Sequence, residues 1–213
     1  MTINGRMIFP DQFIGVAESN DCIHSLTRII LNKVCRKIKF LEDNNYDFEA
    51  ITVNCSTLEL EDWNLHQELY DIIKSNGIKP EHIRIEITES TTITNYSSIL
   101  HNMQKLSEKG IAFYLDDFGT GYSNLERIVS FPFKTIKFDK SILYKALKDA
   151  RADEMVRMMV SFFTKNGFST VVEGVEDKEQ YEYCREVGFE YIQGYLFSKP
   201  IPVDEIINFF DKK

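Results

Sequence analysis

At 213 residues, with 43% hydrophobic and 13% aromatic content, the chain has the length and composition of one soluble globular domain with a sizeable core. A formal charge of −8 and a pI near 5.1 repel a polyanion, so unaided clamping of DNA or RNA is excluded and any phosphate handled needs a cation beside it. The four cysteines, Cys22, Cys35, Cys55 and Cys184, form no C-x-x-C pair, which argues against a zinc site or a disulfide framework and suits a reducing, cytoplasmic compartment. The opening residues carry no apolar leader, and no stretch approaches the roughly 20 apolar residues that cross a bilayer.

In chain order, Ile23, Leu26, Ile30, Val34, Ile38 and Leu41 recur at helical spacing, so the chain is predicted to begin with helices and not with a strand. Six strand-like runs follow, ending near Asn54, Glu86, Asp116, Asp139, Glu173 and Gln193. Each is succeeded by a helical stretch; two of these close on Gly77 and Gly110 as C-terminal caps. The order is one compact α/β unit of six βα repeats, without linkers or low-complexity segments, taken as a single domain over residues 1–213. No Gly-rich phosphate loop follows the first strand, which favours a TIM-like (βα) barrel over a dinucleotide-binding sheet. A closed barrel has eight staves, so the first two are expected to lie before Met1 and the barrel to be truncated at its N-terminal side.

Strand alternation assigns the faces. Ile83, Ile85 and Ile87 oppose Arg84, Glu86 and Thr88, and Ile136 and Phe138 oppose Thr135, Lys137 and Asp139. With the apolar set against surrounding helices, Asn54, Glu86, Asp116, Lys137, Asp139, Glu173 and Gln193 converge on the C-terminal mouth, where barrel enzymes keep their chemistry. A single strand-end acid often caps the next helix, but several crowded carboxylates repel one another unless a divalent cation neutralises them. Oxygen donors with one lysine and no His or Cys point to magnesium, manganese or calcium. The adjacent Asp116 and Asp117 suit two nearby ions, the usual clamp on a phosphodiester.

The ordered words "FPDQFIGVAE", "VNCS", "EITES", "DDFGTGYSN", "IKFDKS", "VEGVE" and "QGYLFSKP" closely resemble the EAL domain family, bacterial signalling phosphodiesterases that open cyclic di-GMP to linear pGpG with two magnesium or manganese ions. The resemblance implies Asn54, Glu86 and Asp116 as ligands of one metal, with Asp116 bridging to a second that Asp117 also holds. It implies Glu173 as the acid beside the second metal and Lys137 as the residue that orients the attacking water and offsets phosphate charge. Asp139 and Gln193 complete the inner wall, Glu176 helps hold the ligand, and Glu89 anchors the loop after Asp117. That loop is implied as a homodimer contact, calcium as an inhibitory substitute, and a sensory domain as a possible upstream partner.

One departure from the family pattern matters. The Glu-Ala-Leu signature precedes "FPDQFI" in the family and supplies a ligand to the first metal, and it does not occur in these 213 residues. The expectation is an incompletely liganded first metal and weak or absent hydrolysis by this chain alone, the alternative being a non-catalytic cyclic di-GMP-binding or regulatory module. A Lys137 Schiff-base lyase is disfavoured by its acidic setting. The four histidines, His24, His66, His82 and His101, lie away from strand ends and are expected at the surface, whereas Met155, Met158, Met159, Phe162 and Phe163 are expected to face the core. Trp63 fits a partner anchor and a packed helix equally well.

Overall fold

A computed structural model describes residues 2–3, 6–20, 22–88, 95–121 and 125–210. They form two compact units, one built from the described residues up to Ala112 apart from Thr88, the other from Thr88 and Phe113 onward.

The first unit begins with strands, contrary to the prediction of helices alone. β1 (Thr2–Ile3) and β2 (Arg6–Met7) pair antiparallel, too short and too polar to register as a sequence period. Pro10 then opens α1 (Pro10–Ser19), and α2 (Ile23–Asp43) follows. The buried face of α2 is Ile23, Thr27, Leu31, Cys35, Ile38 and Leu41. It is rotated from the expected stripe: Thr27, Leu31 and Cys35 are buried in place of Leu26, Ile30 and Val34, and Ile30 is exposed.

β3 (Ile51–Asn54), α3 (Thr57–Leu60) and α4 (Leu65–Ser75) come next, with Leu65, Leu69 and Ile73 of α4 buried. Gly77 terminates this stretch in the left-handed region, at φ 69°. β4 (Ile83–Thr88) runs parallel to β3 and in register, Ile51 opposite Ile83 and Asn54 opposite Glu86. Its Ile83, Ile85 and Ile87 are all buried, as alternation required. α5 (Tyr96–Glu108) completes the unit; Asn95 caps it by accepting the Ser98 N–H.

The second unit carries β5 (Ala112–Phe118), α6 (Leu125–Ser130), β6 (Phe133–Phe138), α7 (Lys140–Ala146), α8 (Ala150–Lys165), β7 (Ser169–Val172), α9 (Lys178–Val187), β8 (Tyr191–Ile192) and α10 (Ile206–Phe210). β5, β6, β7 and β8 lie side by side in chain order and all parallel. Strand order that never reverses is the winding of a barrel wall, not of a doubly wound sheet. Phe118, Phe138, Phe163 and Phe189 form the core of this unit, with edge-to-face ring contacts at 5.0–5.9 Å.

On α8 the expected core face is wrong for most of its members. Val156, Val160 and Phe163 are buried against α7 and β7, while Met155, Met158 and Phe162 are about half exposed and Met159 is half-buried. Apolar residues occupy more than one side of this helix, so periodicity alone could not choose between them.

Cys35, Cys55 and Cys184 are buried and reduced, and burial pushes the Cys35 thiol up to about 11 and the Cys184 thiol up to about 12. Among the described residues no helix is long and apolar enough to cross a membrane.

Candidate active site

Asp116 and Asp117 leave β5 together because the strand is irregular there. Leu115 pairs with Ile136 and Phe118 with Phe138, so three steps along β5 match two along β6. The extra residue is a bulge, and Asp117 stands in it at φ 55°, a left-handed conformation costly for a residue with a Cβ. In a regular strand two neighbours point to opposite faces. Here Asp116, Asp117 and Glu173 each offer a carboxylate oxygen, all within 4.8 Å of one another. Phe118, 2% exposed, resumes the pairing and locks the far side of the bulge into the core.

Lys137 lies on β6 at 5% exposure. Its Nζ donates to Asp116 Oδ1 at 2.8 Å and pairs with Glu173 Oε1 at 2.7 Å. A buried ammonium is tolerable only when it is paired in this way, and it offsets part of the repulsion among the three acids. Glu173 follows β7 directly, and its N–H bonds to the Phe138 carbonyl at 3.0 Å, which fixes the carboxylate beside the end of β6.

The other predicted positions of this unit are placed as follows. Asp139 caps α7, accepting the Ser141 N–H at 2.9 Å. Gln193 is exposed, while its backbone N–H and carbonyl bond to Val172 and Val175. This approach requires Gly194, where a Cβ would lie 2.0 Å from the Val175 carbonyl oxygen. Glu176 is exposed, with its N–H donating to Gln180 Oε1.

In the first unit Asn54 and Glu86 are register partners at the C-terminal ends of β3 and β4. Asn54 is exposed and Glu86 is buried, and the Cys55 N–H bonds to the Glu86 carbonyl at 2.9 Å. Glu89, the expected loop anchor, and Tyr122–Asn124 of the expected dimer loop lie outside the described residues.

None of the four histidines joins the acids. His82 pairs with Glu42 ahead of β4, His24 lies on α2, and His66 and His101 contact each other on α4 and α5. Trp63 stacks on His101 at 3.9 Å with half its surface exposed. Sequence reasoning missed Glu59, an acid in the first turn of α3 with no exposed surface. Ser56 three residues ahead of it is the signal of a capping box, which explains its N-terminal place but not its burial.

The EAL domain family matches residues 2–200. The chain belongs to the EAL domain family. Oxygen sensor protein DosP of Escherichia coli K12 is 34% identical over 197 residues, which are 92% of this chain and 25% of DosP. Cyclic di-GMP phosphodiesterase PdeL of the same organism is 32% identical over 205 residues, 95% of this chain and 56% of PdeL. The solved PaMucR phosphodiesterase in its c-di-GMP complex superposes with a TM-score of 0.87 at 27% identity, covering 96% of this chain and 83% of that one. This EAL domain therefore has the TIM-like α/β fold read from its βα repeats. The chain spans about a quarter of the length of the first curated relatives it matches.

Proposed function

We propose that this EAL domain binds cyclic di-GMP and, with divalent cations, hydrolyses one of its phosphodiester bonds to give linear pGpG, with weak or no turnover by these 213 residues alone, which lack the Glu-Ala-Leu ligand. The observation that carries the reading is the convergence of Asp116, Asp117 and Glu173 within 4.8 Å, with Lys137 bonded to two of them. The phosphodiesterase names of PdeL and PaMucR, and the ligand in the latter's structure, supply the substrate class. The donors are all hard oxygens, which fits magnesium or manganese. Asp116, Asp117 and Glu173 are assigned to one cation, and Asn54 and Glu86, at the ends of β3 and β4, are assigned as metal ligands in their own unit.

Bound cations of this kind lower the pKa of water and stabilise charge on the phosphoryl oxygens. The chain's own residues do the rest. Lys137 donates to the attacking water and places positive charge beside the phosphate. Glu173, bonded to Lys137 and fixed by its backbone, holds that ammonium in place and accepts the proton that water loses. Water oxygen bonds to phosphorus, one ester P–O bond breaks, and the ester oxygen takes a proton from solvent water and leaves as the ribose hydroxyl. Gln193 and Glu176, exposed beyond β7 and β8, are assigned to the nucleotide, and Asp139 to the wall beside Lys137.

The test is to incubate the full product of the gene with cyclic di-GMP and manganese and to follow pGpG by chromatography. Formation of pGpG that stops on chelation is expected. Binding of cyclic di-GMP without turnover would replace the hydrolase with a binding module, and neither binding nor turnover would overturn the reading.

A further inference from the structure

We propose that Glu59 is a positioning residue for Asn54: its buried carboxyl holds the peptide chain just beyond Asn54 and so fixes where the end of β3 presents the Asn54 amide to a cation. The inference rests on the reading of Asn54 as a metal ligand. Glu59 has no exposed surface, and its Oε2 accepts from the Ser56 N–H at 3.1 Å and from the Thr27 hydroxyl at 3.0 Å. Its Oε1 is buried as well, with the Cys55 thiol beside the carboxyl. An acid placed this way costs desolvation, and ordinary capping of a four-residue helix could be done from the surface.

What the placement achieves is local. Of the two peptide N–H groups that follow Asn54, that of Cys55 bonds to the carbonyl of Glu86, the neighbouring ligand on β4, and that of Ser56 bonds to Glu59. Through Thr27 the same carboxyl is tied to α2, and through the Ser56 hydroxyl, which bonds Glu18 at 2.7 Å, the turn is tied to α1. A carboxylate ligand presents an oxygen whichever way it rotates, whereas an amide rotated by half a turn presents N–H to the cation. Asn54 is exposed, so packing does not hold its side chain, and its place is set by the backbone that carries it.

The experiment titrates manganese alone into the full gene product by calorimetry, for the wild type and for E59Q, E59A and T27V, with melting curves as the folding check. Turnover is then followed against manganese concentration. Glutamine keeps an acceptor oxygen for Ser56 and Thr27, so E59Q is expected within twofold of wild type. E59A weakens the manganese affinity of the Asn54 side at least fivefold, and T27V two- to threefold. The manganese needed for half-maximal turnover rises in step, while KM for cyclic di-GMP at saturating manganese stays put, a split that general loosening of the fold does not produce. If E59A fails to fold, T27V against E59Q decides. Folded variants with wild-type manganese affinity and metal requirement would overturn this inference alone; a wild-type protein that takes up no manganese would overturn the proposed function with it.

Discussion

Asp116 and Asp117 are consecutive residues of one strand, yet their carboxylates reach oxygens within 4.8 Å of each other and of Glu173. The bulge opposite Ile136–Phe138 and the positive φ of Asp117 bring this about. Strain is thus stored at the candidate metal site and held by Phe118 in the core behind it. Glycine adopts this conformation without the Cβ clash, so D117G is expected to stabilise the metal-free protein by about 1 kcal/mol in urea unfolding. The same variant should bind manganese at least tenfold more weakly. A D117G protein less stable than wild type in chelator would show that the carboxylate, and not the backbone, dominates the energetics there.

Lys137 is the internal counter-charge of the acidic group, at 2.8 Å from Asp116 and 2.7 Å from Glu173. Replacing it by methionine keeps the buried stem and leaves two carboxylates uncompensated. Loss of one member of a buried ion pair costs about 3 kcal/mol or more, so K137M should melt well below wild type in chelator. Manganese restores part of the missing positive charge, and the gap in melting temperature should narrow when it is added. Hydrolysis should stay lost in K137M even where the fold is recovered. An equal gap with and without manganese would contradict the charge argument.

Glu59 predicts a pH dependence with a definite sign. Burial raises its carboxyl above the ordinary 4.5, opposed in part by the bonds from Thr27 and Ser56. As pH rises past 4.5 the unfolded chain releases this proton first, so the native state binds more protons and stability falls until the raised native value is passed. Glutamine does not titrate. The stability of E59Q relative to wild type should therefore increase from pH 4 to pH 7 in urea unfolding, and a difference that is flat across this range would contradict the raised pKa.

The parts legible in the sequence were those set by period. Alternation of two set Glu86 of β4 and Lys137 of β6 opposite their neighbouring isoleucines, whereas Asp139 lies past the end of β6 and caps α7; the repeated strand–helix alternation implied parallel strands wound in chain order. The acid pair in "LDDFG" pointed to a cation, but a bulge inserts a residue without any mark in composition, so how both carboxylates reach one place needed the backbone. Glu59 was invisible for a related reason: an acid three residues after Ser56 has the pattern of a solvent-facing capping box, and its burial depends on Thr27, 32 residues earlier. On α8, methionines and phenylalanines on several sides concealed which one faces β7. At the start of the chain, two-residue strands are shorter than any period that could announce them.

The central claim, that the acids at the end of β5 and β7 hold the cation on which phosphodiester hydrolysis depends, is tested most directly by the D116A variant. Asp116 touches Lys137 and belongs to the acidic group, so its removal should strike charge balance and metal affinity together. The measurement is the rate of pGpG formation from cyclic di-GMP by the full gene product in saturating manganese, wild type beside D116A, with folding verified for both. A loss of at least a hundredfold is predicted, corresponding to about 2.7 kcal/mol of transition-state stabilisation. Turnover by D116A within threefold of wild type, at an unchanged manganese requirement, would contradict the account.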